Sequence, residues 1–374
     1  MKTVKKLFMC VIAVIISASV VSCGDGEYKF YHNLGAPLGD DYQLNERAKC
    51  PWDMIIYDGS LYIGGGDYGG NAGPVTVWQR SIADKSWSVS GSVPDEEINR
   101  FLVIDGELVI TGTDPIDDWT LGNYYVMRDG EWTVKRVIPH AVHNFDMLSY
   151  NGQIFAAIGT EAGFFPVSVS DDSGESFSNV PFEKNGLIVN TSSYTKVRCY
   201  DLFLLGDNVY AAASFKRKNA KAVHEIYRYD GGKFVFFADW TDQVEARSFS
   251  SNVIGAKAYV GDKIFFTTGY LYCTEDMSTV TLVDLNANEA VYDIYTEGEE
   301  VYILTAENTV KGRFNISVKR YSDGSESFET IFYFNLDTPP ISLAVCGNDY
   351  YVGVGHPSSN SELNGSILHI KYYE

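Results

Sequence analysis

Basic residues are scarce in this chain. Its 29 Lys and Arg stand against 49 Asp and Glu over 374 residues, a formal net charge of −20. Such a surface repels nucleic acid and anionic lipid, because phosphate contacts need a cationic footprint. It suits cations, or neutral ligands such as glycans. Long apolar runs are equally rare. Beyond one near the amino terminus, none approaches the ~20 residues that cross a bilayer. Cysteine is sparse, with six residues in all and no Cys-x-x-Cys or Cys/His spacing of a zinc site. No long segment repeats its apolar residues at the helical period of 3.6, so helix is expected to be nearly absent. Rings, by contrast, are abundant. The 26 Tyr and 21 Phe are an inventory suited to filling the space between packed sheets.

The chain opens on a basic patch, Lys2, Lys5 and Lys6, followed by an apolar run from Leu7 to Ala18. That run is too short for a spanning helix and reads as a secretory leader. Val20-Val21-Ser22-Cys23 follows, and it resembles the lipobox of bacterial lipoproteins. The resemblance implies that residues 1–22 are removed, that Cys23 carries lipid, and that residues 23–27 form a short tether. Acyl chains would then hold the protein, each buried CH₂ contributing about 0.8 kcal/mol. The three leader lysines leave with the leader, so the remainder carries a charge of −23. We therefore expect a lipid-anchored, exported protein at the outer membrane or cell surface. Cys50, Cys199, Cys273 and Cys346 remain, and four cysteines allow three pairings. Spread along the chain, they read as small buried residues rather than staples.

Seven times a β-rich stretch breaks at a Gly, Asp or Asn turn and resumes. The copies are centred on Asp58-Gly59, Asp105-Gly106, Asn151-Gly152, Gly206-Asp207, Gly261-Asp262, Gly298-Glu299 and Gly347-Asn348. They recur at roughly 37 to 55 residues, the period of a radial β-array. The expected fold is all-β: a seven-bladed β-propeller over residues 28–374. Most repeats read as four strands, with alternating β-branched or aromatic and polar residues. The second is clearest: Phe101–Ile104, Leu108–Thr111, Tyr124–Arg128 and Trp132–Val137. The last repeat offers three strands, and Tyr28 to His32 is an orphan. That amino-terminal strand is expected to complete the last blade and remove its open edge. With lipid on Cys23, the face carrying the inner turns (the bottom) would lie toward the membrane, and the opposite top face would point away.

Candidate site residues sit at that top. Six residues before the turn, where the innermost strand begins, four repeats carry an aromatic residue followed by Asp: Asp53, Asp146, Asp201 and Asp293. The second repeat has Arg100 there. Converging carboxylates raise one another's pKa or recruit a cation, and Arg100 is their natural partner. The structural reading is that each Asp caps backbone N–H groups of a neighbouring blade. The long top loops add Tyr68 in a Gly-rich segment that lacks the strand-to-helix context of a phosphate cradle. They also add Asp114, Asp117, Asp118 and Trp119, suited to sugar or calcium but without the Asp-x-Asp-x-Asp-Gly register of a dedicated calcium loop. Phe164, Phe165, Tyr270 and His356 bring further rings. His143 and Arg198 lie in connections on the same face. No cofactor is expected, with calcium as the one weak candidate.

Ser170-Asp171-Asp172-Ser173-Gly174-Glu175-Ser176-Phe177 resembles the Asp box of sialidase-like propellers, and Ser327 belongs to a decayed copy. In that family the box joins third and fourth strands on the face away from the active site. The resemblance therefore implies fold and not catalysis. The Arg-Ile-Pro motif of sialidases is missing, and Arg100, Arg198 and Arg247 match their arginine triad poorly. More loosely, the whole chain resembles propeller lipoproteins of Bacteroidota. The functional expectation is a non-catalytic binding or scaffold module for a glycan or protein ligand on the top face. Two alternatives stand beside it. One is a glycoside hydrolase, needing carboxylates about 5 to 9.5 Å apart, or a polysaccharide lyase using Tyr200 or His143 as base beside Arg100. The other is a structural subunit of an envelope assembly.

Overall fold

The computed structural model describes residues 30–39, 45–160, 163–245, 256–286, 288–309 and 312–372. The leader, Cys23, the tether and Arg247 lie outside them. The described residues form strands joined by turns, with two single-turn 3₁₀ segments as their only helical elements. No helix among them is long and apolar enough to cross a membrane.

Strand β1 (His32–Asn33) comes first. The described strands form four 4-stranded sheets and one 14-stranded sheet, which divide in chain order into antiparallel units. Unit 1 is β2 (Asp53–Tyr57), β3 (Ser60–Gly64), β4 (Val75–Ser81) and β5 (Trp87–Val93). Unit 2 is β6 (Asp95–Ile104), β7 (Glu107–Pro115), β8 (Leu121–Arg128) and β9 (Glu131–Pro139). Unit 3 is β10 (Ala141–Tyr150), β11 (Gln153–Thr160), β12 (Val167–Ser170) and β13 (Ser178–Asn179). A hairpin, β14 (Phe182–Lys184) and β15 (Leu187–Ile188), then adds to the outer edge of unit 4. Unit 4 is β16 (Lys196–Leu205), β17 (Asn208–Lys216), β18 (Val223–Tyr229) and β19 (Phe234–Asp239). Unit 5 is β20 (Lys257–Val260), β21 (Lys263–Thr267), β22 (Leu271–Thr274) and β23 (Thr281–Leu282). Unit 6 is β24 (Glu289–Glu297), β25 (Glu300–Asn308), β26 (Phe314–Ser322) and β27 (Glu329–Leu336). Unit 7 is β28 (Pro340–Cys346), β29 (Asp349–Val354) and β30 (Ile367–Lys371), completed by β1.

Local chemistry sets the repeat. In the first three units the inner turn places Asp58-Gly59, Asp105-Gly106 and Asn151-Gly152 at positive φ. Two successive left-handed residues are what a two-residue hairpin turn of the right twist requires. The core lies between units rather than within one. One cluster joins unit 1 to units 2 and 7 through Leu61, Ile63, Phe101, Tyr351 and Ile367. Others join units 2 and 3, 3 and 4, 4 and 5, 5 and 6, and 6 and 7. Every unit thus buries both faces against neighbours, and the contacts run full circle from unit 7 to unit 1. The architecture is an all-β propeller.

The amino-terminal segment does close the last unit, but of the expected Tyr28–His32 strand only His32 is in the ladder, which runs on to Asn33, while Tyr28 and Lys29 lie outside the described residues. His32 and Asn33 pair antiparallel with His369 and Leu368. Leu34 N–H donates to Ile367 O (2.8 Å), and Ile367 N–H donates to Gly35 O (2.9 Å). Phe30 and Tyr31 leave the ladder because their rings pack on Phe332 and Phe334 of unit 6, with centroids 5.7 and 6.1 Å away.

The four described cysteines are free thiols, with Cys50 and Cys199 buried. Burial pushes the Cys50 thiol up to about 12, so it stays protonated and inert. The turn at Ser170 to Phe177 joins β12 to β13 on the bottom face. Asp172 accepts from Ser176 N–H (2.9 Å) and Ser176 Oγ (2.6 Å), while Ser170 Oγ accepts from Gly174 N–H (2.9 Å). These bonds hold Asp172 down at about 2. Unit 5 repeats the device with other residues: Met277 N–H donates to Thr274 Oγ1, and Ser278 and Thr279 N–H to Asp276.

Candidate functional site

The axis of the wheel is lined at its top by the repeat-position carboxylates, and most of their oxygens are engaged. Asp53 accepts the Phe101 N–H (2.6 Å), Asp146 the Leu202 N–H (2.8 Å) and Asp293 the Leu343 N–H (2.8 Å). In each case the donor is the next residue position on the following unit. The chain presents that N–H because the ladder is bulged there, at Tyr200 between Cys199 and Asp201 and between Ile98 and Phe101. A bulge frees one backbone group and turns a side chain inward. At the equivalent place in unit 7, Ser342 Oγ donates to Pro51 O (2.7 Å) across the closure.

Arg100 replaces the carboxylate in unit 2 and crosses the axis. Its Nη1 lies 3.3 Å from Asp53 Oδ1 and 3.5 Å from Asp293 Oδ1, and all three side chains are buried. Lys257 of unit 5, which the sequence reading missed, donates to Asp146 Oδ2. Asp201 lies on the same axis, where its charge raises the pKa of both Arg100 and Lys257. Two cations therefore face four carboxylates. Burial pushes Asp53 upward against the pull of Arg100. Burial also raises Asp293 to about 7, with Arg100 opposing and Asp53 reinforcing.

That shift has a signed consequence for stability. Between the ordinary carboxylate range and about 7, folded Asp293 holds a proton that the unfolded chain has released. Its contribution is therefore complete at acidic pH and is lost as pH rises through about 7. Melting temperatures at pH 5 and pH 8 should differ more for the native chain than for Asp293→Asn. Equal differences in the two proteins would count against this assignment.

Outward from the axis, the rim splits into distinct clusters. Arg47 pairs with Glu97 (2.9 Å) and Asp67 (3.1 Å), and its guanidinium lies 4.5 Å from the Trp52 ring and 5.0 Å from the Tyr68 ring. Tyr68, 41% exposed, meets the His143 ring edge-on at 6.3 Å. His143 stacks on Phe145 at 5.2 Å, and Phe145 contacts Tyr200 at 5.0 Å. Asp114 Oδ1 lies 3.0 Å from His143 Nδ1, without hydrogen-bond geometry between them. Arg198 Nη2 is 3.4 Å from His143 Nε2. The result is one strip, Arg47–Tyr68–His143–Phe145–Tyr200 with Arg198 beside it, drawn from units 1, 3 and 4 and the segment before unit 1. Near it Glu96 is raised to about 7, first by burial and then by Asp114, Asp95 and Asp67.

Asp117, Asp118 and Trp119 stand apart, on the β7–β8 loop. Both carboxylates face Arg136, at 3.9 and 3.2 Å, and Trp119 is 55% exposed. Among the described residues, no three His, Cys, Asp or Glu side chains are placed to hold a metal ion.

No family model and no curated protein sequence matches this chain. Solved structures do. It resembles Sqt1 of Saccharomyces cerevisiae at 9% identity and TM-score 0.46, over 88% of this chain and 98% of that one. It resembles BamB from Moraxella catarrhalis at 12% identity and TM-score 0.42, over 86% and 82%. It also resembles the β-propeller domain of the trilobed protease from Pyrococcus furiosus, at 11% identity and TM-score 0.45, over 80% and 88%. The likeness is one of fold.

Proposed function

We propose that this chain is a non-catalytic binding module, held at the bacterial cell envelope through Cys23, that takes a glycan or protein ligand on its top face. The observation that carries the reading is the division of labour among its polar groups. Three of the axial carboxylates that a hydrolase would need, Asp53, Asp146 and Asp293, are buried against backbone N–H groups, Arg100 and Lys257. Outside them runs a strip of rings and guanidinium groups built from separate units, with Tyr68 exposed and Arg198 and Tyr200 half-buried, a mixture that stacks on sugar faces or grips peptide groups. Loops on a rigid scaffold are where such recognition is placed.

The test is a glycan array and a protein-capture screen with the purified full chain, repeated with Tyr68→Ala. Tyr68→Ala is expected to weaken the bound ligand about tenfold, or ~1.4 kcal/mol. No ligand in either screen, or undiminished binding by the variant, would remove this reading. Anchoring is checked separately by metabolic lipid labelling, which Cys23→Ser should abolish.

A further inference from the structure

One segment runs against the acidic character of the chain. Lys216-Arg217-Lys218-Asn219-Ala220-Lys221 leads from β17 to β18 at the top of unit 4. The antiparallel register sets Lys196 directly opposite Lys216, and Arg198 opposite Ser214. Alternation does the rest. Val197, Cys199 and Phe215 enter the core, so Lys196, Arg198 and Lys216 turn to the other face. There they line an open cavity of about 650 Å³, within the size range of small-ligand sites.

The wall carries four cations, Lys196, Arg198, Lys216 and Lys221, against two carboxylates, Asp242 and Glu245. Among the described residues, no ion pair joins a carboxylate to Lys196, Arg198 or Lys216; Lys221 pairs with exposed Asp242 at 3.7 Å, and Arg198 Nη2 lies 3.4 Å from His143 Nε2. Like charges directly across two strands destabilise a sheet. Here the arrangement occurs in a protein with an overall excess of 20 negative charges. An anion placed between the strands would relieve it. The rest of the wall is also informative. Tyr200 presents a ring, while Ser214 and Thr241 present hydroxyls. Cations beside a ring and hydroxyls match a sugar that carries acid groups. The acidic remainder of the surface disfavours nucleic acid.

We propose that this cavity binds an acidic saccharide of the uronate type, with Lys196, Lys216 and Arg198 on its carboxylates and Tyr200 against its ring. This rests on the reading of the top face as a ligand surface, and narrows it to unit 4 and to one ligand class. The other end of the face, around Asp67, Glu96 and Asp114, carries the opposite charge, so the anionic end of the ligand is directed to unit 4.

The test is calorimetric titration of the purified full chain with tetragalacturonate, with a neutral galactose tetrasaccharide and with hexaglutamate, at low and high salt. Tetragalacturonate is expected to bind, and to bind more weakly as salt rises. Lys216→Glu is expected to cut its affinity at least tenfold while raising the melting temperature, because the variant sets a carboxylate opposite Lys196. Lys196→Gln should also weaken binding, and its melting curve shows whether the fold is kept. Undiminished binding by both variants overturns the proposal, as does equal binding of hexaglutamate. Failure of tetragalacturonate while the neutral sugar binds overturns the acidic-ligand inference alone. Failure of all ligands here and in the broader screens removes the top-face reading with it.

Discussion

Replacing Arg100 by methionine should destabilise the fold by about 3–5 kcal/mol, because it strands buried carboxylates without their partner. Arg100 is only 7% exposed, and it lies between Asp53 and Asp293, themselves 3% and 2% exposed. The loss is therefore not softened by solvent. Asp53 and Asp293 would respond by holding protons to still higher pH, since the guanidinium is what opposes their burial. The variant should recover some stability on acidification. Chemical denaturation of native and variant chains at pH 5 and pH 8 measures both effects. A triple variant, Asp53→Asn with Arg100→Met and Asp293→Asn, should regain most of the loss, because it removes the charges together. A loss below about 1 kcal/mol for the single variant would show that Arg100 is not the electrostatic centre.

Removing the chain through Gly35 should cost a comparable amount. The truncation deletes the β1 ladder and the two backbone bonds between Ile367 and residues 34–35, each bond contributing about 0.5–1.5 kcal/mol net. It also removes Leu34, Tyr31 and Phe30 from the clusters and rings they pack against, at roughly 1–2 kcal/mol for each partly buried side chain. More telling than the magnitude is the behaviour expected of the product. Strand β30 would present an unpaired edge, which invites pairing with another chain. Sedimentation should show concentration-dependent association, and melting should shift to lower temperature. A monomer that melts like the native chain would mean that closure contributes little.

The repeat was readable because turn chemistry is local: Asp-Gly and Asn-Gly announce a two-residue hairpin turn without help from the rest of the chain. The closing strand was readable as an imbalance, three strands where four were due. Its register was not, since Phe30 and Tyr31 are drawn off by Phe332 and Phe334, some 300 positions away. The axial Asp residues were visible as a repeated position, and for Asp53, Asp146 and Asp293 the partner is, as the structural reading expects, a backbone N–H of the next unit. Lys257 was overlooked although it carried a signal. At that position the other six repeats have Met54, Phe101, Met147, Leu202, Ile294 and Leu343, so a lysine there is a buried cation in search of an acid. The basic run at residues 216–221 was equally plain, but averaging charge over the whole chain hid it. The pairing of Arg47 with Glu97 could not be seen at all, because 50 residues of unremarkable loop and strand separate the two.

Arg100 lies at the hub, bound to unit 1 through Asp53 and to unit 6 through Asp293. It acts as a cork. With its two carboxylates it occupies the centre of the wheel, nearly closed off from solvent. Around the circumference, carboxylate-to-amide links stitch unit 1 to unit 2, unit 3 to unit 4 and unit 6 to unit 7, and a hydroxyl-to-carbonyl link stitches unit 7 to unit 1, so a strain at one wedge is felt first by the neighbour it is sewn to.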